Sequence, residues 1–413
     1  GEAGVSGYPL HHHLAGLWGL PEESAQAVSA FLWAALGVWA ADKLLPRRAA
    51  ADGWSRAIEL HLPLGGAWSN LAGRFAGLLN FLTGDTWILR GRDASINPGF
   101  TGQWPHAWQP GGVVLFSGGL DSLAGAIDLL EAGRRVVLLS HYDFGQLAAC
   151  QQALAAALAG RYGPERVHHL ALRVQFPEAP ELTLRSRSLL YFALGLTAAA
   201  AFGGETPVVV PENGWISLNP PLTLNRLGSC TTRTTHPYFM GGLAGLWREA
   251  GIRNPLVNPY RGLIKGQVLA RCRNRALLKE LFPLTVSCSR PVVSRWRGEA
   301  GGSCGYCYPC LIRRAAAHQL GWDKGEDYLL DVLAESSTLK HRLRGRDLRA
   351  LLLGLKTWEE APGEIMDRLW LGGPLKEAAS QERLARSVLA AGFGEIGQFF
   401  RDQGPEWVQS YLA

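Results

Sequence analysis

The stretch Val113-Val-Leu-Phe-Ser117-Gly-Gly-Leu-Asp121-Ser122 constrains the fold of this chain more than any other. Val113 to Phe116 is a short uninterrupted apolar run, the pattern of a strand buried on both faces of a parallel sheet. It breaks at Ser117, Gly118 and Gly119, and apolar residues then recur with helical spacing from Leu123. Strand, glycine turn and helix in that order place backbone N–H groups and a helix N-terminus around one point. That arrangement cradles an anion. The two glycines let the backbone approach a phosphate closely. Ser117 and Ser122 add hydroxyls, and Asp121 adds a carboxylate suited to holding Mg²⁺ or orienting a donor. No Gly-Lys-Ser/Thr follows, so this is not a Walker A loop, and it is not G-x-G-x-x-G.

Ser-Gly-Gly-Leu-Asp-Ser resembles the signature of the PP-loop ATP pyrophosphatases. The resemblance implies a loop that grips the β and γ phosphates, so that attack falls on the α phosphorus and pyrophosphate leaves.

The pattern after Val113 is α/β. Strands are expected at Val113–Phe116, Val136–Ser140, His169–Val174 and Val208–Val210, with helices near Leu123–Ala132, Leu147–Gly160 and Ser186–Phe202. Alternation of this kind gives a Rossmann-like parallel sheet covered by helices. Ligands in such sheets gather at the carboxyl ends of the strands. Those ends carry the glycine loop, His141-Tyr-Asp143, and Glu212-Asn213-Gly214. Residues 211 to 263 read as loop-rich, and Ser229 to His236 crowds hydroxyls, Arg233 and His236 into a lining for a polar anionic ligand. Lys265 opens a helix expected to run to Leu281. A lysine at a helix N-terminus opposes the dipole and calls for an anionic partner.

Residues 1 to 108 are expected to form an α+β accessory domain with no catalytic spacing. Its elements are a helix from Pro21 to before Pro46, a strand from Ala57, a helix from Trp68 to Leu82, and a strand from Thr86. Asn97 to Gly112 reads as a Pro, Gly and Trp-rich linker. From 109 to 327 runs the PP-loop domain, and residues 328 to 413 form a helical extension. His11-His-His13 reads as a local turn.

Seven cysteines without a recognisable secretion signal argue against a disulfide framework. Cys288, Cys304, Cys307 and Cys310 instead have the spacing of a four-cysteine metal site, within a segment from 288 to 313. A structural zinc ion and a [4Fe–4S] cluster both fit that spacing. Ala27 to Ala41 and Leu189 to Gly204 are uncharged but shorter than the ~18–20 residues that span a bilayer, so both read as buried helices. The net charge of +6 permits an anionic ligand, but no basic run of nucleic-acid-binding type occurs.

Loop and cysteines together resemble the QueC proteins, the 7-cyano-7-deazaguanine synthases. The matching elements are Ser117 to Ser122, Arg185-Ser-Arg187, Pro259 to Lys265, and Cys288 with Cys304-Gly-Tyr-Cys307-Tyr-Pro-Cys310-Leu-Ile-Arg313, over about residues 111 to 315. The loops after the fourth strand depart from that family. Together with Leu82-Thr-Gly-Asp85 and Arg233-Thr-Thr-His-Pro they resemble the QueC-like proteins of anti-phage operons, those of the Qat system (QatC) and of type IV CBASS.

The resemblance implies ATP, Mg²⁺ and Zn²⁺ as cofactors. It implies adenylylation of 7-carboxy-7-deazaguanine and transfer of the acyl group to the N-terminus of a partner protein from the same operon. A free-standing nitrile synthase using ammonia and a catalytically silent ATP-binding subunit are the alternatives. Asp121, Arg187 and Lys265 would be catalytic. Ser117, Gly118, Gly119, Leu120, Asp121, Ser122 and His141 would bind ATP, and Glu212, Asn213, Arg233 and His236 the deazapurine. Zinc would sit on Cys288, Cys304, Cys307 and Cys310. A cytoplasmic protein is expected, with no membrane or nucleic-acid partner and a homodimer allowed.

Overall fold

A computed structural model of the chain describes residues 10–92, 98–142, 145–181, 183–223, 226, 233–289, 303–375 and 379–412. The chain divides into two compact units that are discontinuous in sequence. The first comprises Gly1–Ser117, Arg134–Val209 and Phe239–Val257, and the second Gly118–Gly133, Val210–Tyr238 and Asn258–Ala413.

The first unit holds the parallel sheet. Its strands in chain order are β4 (Val113–Leu115), β5 (Val136–His141), β6 (Val167–Leu172), β8 (Val208–Val209) and β9 (Leu256–Val257). They lie in the order β6-β5-β4-β8-β9, all parallel, with β4 at the centre. The Val and Leu runs of β4 and β5 are wholly buried, as a strand covered on both faces requires. Helix α4 (Gly145–Tyr162) packs on β5 and β6, and α5 (Arg187–Ala200) on β4 and β8. Gly195 permits the second contact, because a Cβ there would stand 2.6 Å from the Leu115 side chain.

The N-terminal residues of this unit form β2 (Ala57–Leu62), α2 (Ala67–Thr83) and β3 (Thr86–Gly91), with β2 and β3 paired in parallel. Helix α1 (Glu22–Leu44) packs on α5. With its charged ends α1 is longer than the uncharged run read from the sequence. By length and composition it could cross a membrane, yet 61% of its apolar window is buried in the fold, as expected of a core helix. His11–His12 is not a turn but a short strand, β1, antiparallel to β7 (Val174–Gln175).

Residues 211 to 263 carry more structure than the sequence suggested. They include α6 (Gly214–Leu218), α7 (Pro237–Glu249) and β9. Phe239, Leu243, Leu246 and Trp247 form the buried stripe of α7 at helical spacing, but its three glycines disguise it. The helix expected over Gln267 to Leu281, opened by Lys265, is two, α8 (Lys265–Arg271) and α9 (Arg275–Leu281). Asn274 ends the first by capping the second, accepting the Leu277 N–H at 3.0 Å.

The second unit is helical. Helix α3 (Leu120–Glu131), α6, α8 and α9 join a cysteine helix (Tyr308–His318) and C-terminal helices including Arg346–Glu360 and Ala379–Gln403. One apolar core runs through it, from Trp215 and Leu222 to Cys304, Leu351, Phe393 and Phe400.

Candidate functional site

The glycine loop follows β4 directly. Gly118 has φ +80°, a conformation open to glycine at low cost, and Gly119 is the N-cap of α3 with no side-chain cap. Two contacts from the segment before Cys288 fix the turn. Val286 N–H donates to Gly118 O at 3.0 Å, and Leu120 N–H donates to Ser287 Oγ at 3.2 Å. Ser122 Oγ turns back to Gly119 O at 2.8 Å.

Asp121 lies in the first turn of α3 and is buried. Its partners come from two distant segments of the same unit. Lys265 Nζ reaches Oδ1 at 2.5 Å, while the Asn213 backbone and side-chain N–H groups reach Oδ2 at 3.2 and 2.6 Å. The anionic partner that a lysine at the head of α8 requires is therefore Asp121. Asn213 Nδ2 also donates to Glu212 Oε1 at 3.2 Å, and Asn213 Oδ1 caps α6 by accepting Ile216 N–H at 3.0 Å.

The two carboxyls divide one charge. Burial works against ionising Asp121, but the Lys265 ammonium and hydrogen bonds from Glu212, Lys265 and Asn213 hold it below the usual carboxylate range. Burial and then the Asp121 carboxylate push Glu212 well above that range. Asp121 is thus favoured as the charged member of the pair and Glu212 as the neutral one.

Asn258 was not singled out from the sequence. Its Oδ1 accepts the N–H groups of Glu212 and Tyr260 at 3.4 and 3.0 Å, and its Nδ2 donates to Ser217 Oγ at 3.3 Å. Ser217 in turn donates to Thr235 Oγ1 at 3.0 Å. His236 is buried, accepts Tyr238 N–H on Nδ1, and is pushed down to about 4 by burial and then Arg233. It is thus a neutral lining group and adds no positive charge. Burial also lowers Arg233 from its ordinary value. Residues 229 to 232 of that loop, with Cys230, and Asp143 lie outside the described residues.

His141 and Arg187 belong to the first unit. Arg187 Nη2 donates to His141 O at 2.9 Å, with Nε 3.4 Å from His141 Nδ1. Gln151 on α4, buried and overlooked within an alanine-rich run, donates to Ser117 O at 3.2 Å and His141 O at 3.4 Å. The turn before Arg187 is anchored by the N-terminal residues. Asp42 Oδ2 accepts Ser186 N–H and Oγ at 3.2 and 2.7 Å, and Arg185 donates to Thr83 O at 2.5 Å while stacking over Trp54.

The four cysteine sulfurs lie within 4.8 Å of one another, with Cys288–Cys307 at 3.8 Å, Cys304–Cys310 at 3.9 Å and Cys307–Cys310 at 3.4 Å. Four thiolates about 2.3 Å from one tetrahedral ion would be spaced about 3.8 Å apart. The set therefore fits a single ion such as zinc. A four-iron cluster, with each thiolate on a different corner iron, needs wider spacing. Arg313 is used structurally, donating to Thr285 O, Thr285 Oγ1 and Phe282 O and so fastening the strand that leads to Ser287 and Cys288.

No family model matches the chain. It is similar to curated proteins named 7-cyano-7-deazaguanine synthase. That of Parasynechococcus marenigrum (strain WH8102) is 29% identical over 231 residues, 51% of this chain and 93% of the relative. That of Synechococcus sp. (strain RCC307) is 26% identical over 234 residues, 51% of this chain and 95% of the relative. That of Novosphingobium aromaticivorans is 28% identical over 243 residues, 53% of this chain and 94% of the relative. Nearly the whole of each relative thus matches about half of this chain, and the similarity supports a QueC-like protein.

Proposed function

We propose that this chain is a cytoplasmic ATP-dependent enzyme that adenylylates the carboxylate of 7-carboxy-7-deazaguanine. It then joins the acyl group to an amine, the N-terminus of a partner protein in anti-phage defence. The observation that carries this reading is the meeting of Asp121, Asn213, Glu212 and Lys265 behind the Gly118-Gly119 turn. It is supported by similarity to 7-cyano-7-deazaguanine synthases.

In the first step a carboxylate oxygen of the substrate attacks the α phosphorus of ATP, and the bond to the bridging oxygen breaks. Backbone N–H groups of the loop and the head of α3 take the charge of the departing pyrophosphate. Lys265 offsets negative charge growing at phosphorus. In the second step the amine nitrogen attacks the acyl carbon, the bond to the phosphate oxygen breaks, AMP leaves, and the amine gives up a proton. Glu212 would accept hydrogen bonds from the guanine-like edge of the deazapurine, and the fixed geometry of such a pair would reject adenine-like bases. Bound Mg²⁺ would neutralise phosphate charge, with Asp121 as its ligand. A zinc ion on the four cysteines would be structural, fixing Val286 and Ser287 against the loop.

The test is pyrophosphate release with ATP, Mg²⁺ and 7-carboxy-7-deazaguanine, with Asp121→Ala as control and the intact mass of an operon partner read in parallel. Release with a mass gain on the partner is the expected result. The relatives' own name favours a second reading, nitrile formation with ammonia. Release with only a small-molecule product would select it, and no release above the control would overturn both.

A further inference from the structure

The long helix Ala379–Gln403 lies beyond the residues that carry the resemblance, yet it brings a carboxyl to the Asp121–Lys265 pair. Glu395 is 7% exposed. Its carboxyl lies against the backbone of Gly266, the residue after Lys265. The approach is so close that a Cβ at 266 would overlap Glu395 Oε2. A side chain at 266 would push this carboxyl out of its place.

The helix is fixed in that register by a second contact. A Cβ at Gly392 would overlap the indole of Trp215, and Phe393 packs edge-on against Trp215 (5.0 Å between centroids) and stacks on Trp358 at 4.9 Å. Trp215 follows Asn213 by two residues. One helix is therefore seated against both segments that supply partners to Asp121.

Packing alone does not explain a carboxyl here. Glutamine would fill the same space against Gly266 without burying an ionisable group, which is costly unless paired. Burial pushes Glu395 up to about 8, against the Gly266 N–H and Lys265, with Asp121 adding to the rise. Other charged groups near this helix are engaged elsewhere: His318 with Asp402, Arg314 with Asp323 and Asp331, and Arg401 with Glu359. The charges acting on Glu395 are Lys265 and Asp121. Residues that break a local stability rule mark working sites.

We infer that Glu395 is a positioning residue supplied by the C-terminal helix, holding the first turn of α8 through Gly266 and so setting the direction of the Lys265 ammonium. Its bearing on catalysis rests on the reading that Lys265 acts in adenylyl transfer.

The test compares Glu395→Gln and Glu395→Ala with wild type for pyrophosphate release from pH 6 to 9, with zinc content and thermal unfolding as controls. Glu395→Gln is expected to fold at least as stably and keep kcat near wild type at pH 7, while losing a fall in rate above about pH 8. Glu395→Ala is expected to lower kcat about 10–100-fold with little change in KM for ATP. Should Glu395→Ala not fold, a Glu395→Gln profile with the wild-type fall above pH 8 overturns the inference. So does a folded Glu395→Ala with wild-type kcat and profile.

Should wild type itself release no pyrophosphate, the function proposed above fails alone. The rate of amide hydrogen exchange over the first turn of α8, read by mass spectrometry without substrate, then decides the matter. A change in Glu395→Ala restored in Glu395→Gln supports the inference, and equal rates in all three overturn it.

Discussion

Asp42 and Asp85 meet Arg47 and Arg56 in the first unit, while Asp121, Glu212 and Glu395 gather near Lys265 in the second. Both clusters are buried, and both unite residues far apart in sequence. The first balances two carboxylates with two guanidiniums. Each oxygen of Asp42 and Asp85 accepts at least two hydrogen bonds, from the arginines, Thr183 and Ser186. Against burial, Arg56 and Arg47 hold Asp85 below its ordinary range. The second sets three carboxyls against one ammonium. Two of them, Glu212 and Glu395, therefore sit above the usual range and only Asp121 below it. A balanced cluster fixes geometry. An acid-rich one holds protons and charges that a bound ligand can redistribute, as reaction sites do.

That contrast can be broken by mutation. Asp85→Ala should have the largest effect, because it leaves two buried guanidiniums facing one carboxylate. A loss of about 3–5 kcal/mol is expected in denaturant unfolding, with pyrophosphate release per folded molecule falling less than in the double variant below, because only the brace of the Arg187 turn is weakened. An unchanged midpoint would remove the structural role assigned to this cluster. The double variant Asp121→Asn with Lys265→Met should do the reverse. It removes both charges without stranding either, so the unfolding midpoint should stay near wild type while kcat falls about 10²–10³-fold, roughly 3–4 kcal/mol. Collapse of the fold would place the two clusters in the same class. The smallest effect is expected from Ser287→Ala, which takes the side-chain acceptor from Leu120 N–H. About 1 kcal/mol, read as a several-fold rise in KM for ATP with zinc content unchanged, is expected. An unchanged KM would detach the cysteine segment from the loop.

The motif Leu82-Thr83-Gly84-Asp85 shows how a sequence signal acquires meaning only in three dimensions. As a string it marks a resemblance. In the fold Gly84 ends α2 at φ +75°, Thr83 O receives Arg185, and Asp85 binds both arginines. The motif braces the turn that carries Arg187 and contributes no reacting group of its own. Glu212 illustrates the same limit. Its place at the end of the fourth predicted strand was legible, but the upward push on its carboxyl was not, because that depends on burial and on Asp121, which lies far from it in sequence.

The sequence alone determined what is local. Strand, glycine turn and helix at Val113 to Ser122, the spacing of Cys304, Cys307 and Cys310, and the helical stripes of the N-terminal residues all follow from periodicity and covalent reach, which need no distant partner. Where glycine or asparagine weakened that periodicity, in α7 and at the break between α8 and α9, the reading failed. Tertiary structure decided the rest: Lys265 on Asp121 across 144 positions, Ser287 under Leu120 across 167, Asp42 on Ser186 across 144, and Glu395 against Gly266. Contacts of that length exist only once packing has chosen which faces meet, and hydrophobic periodicity carries no record of which polar groups are then buried side by side.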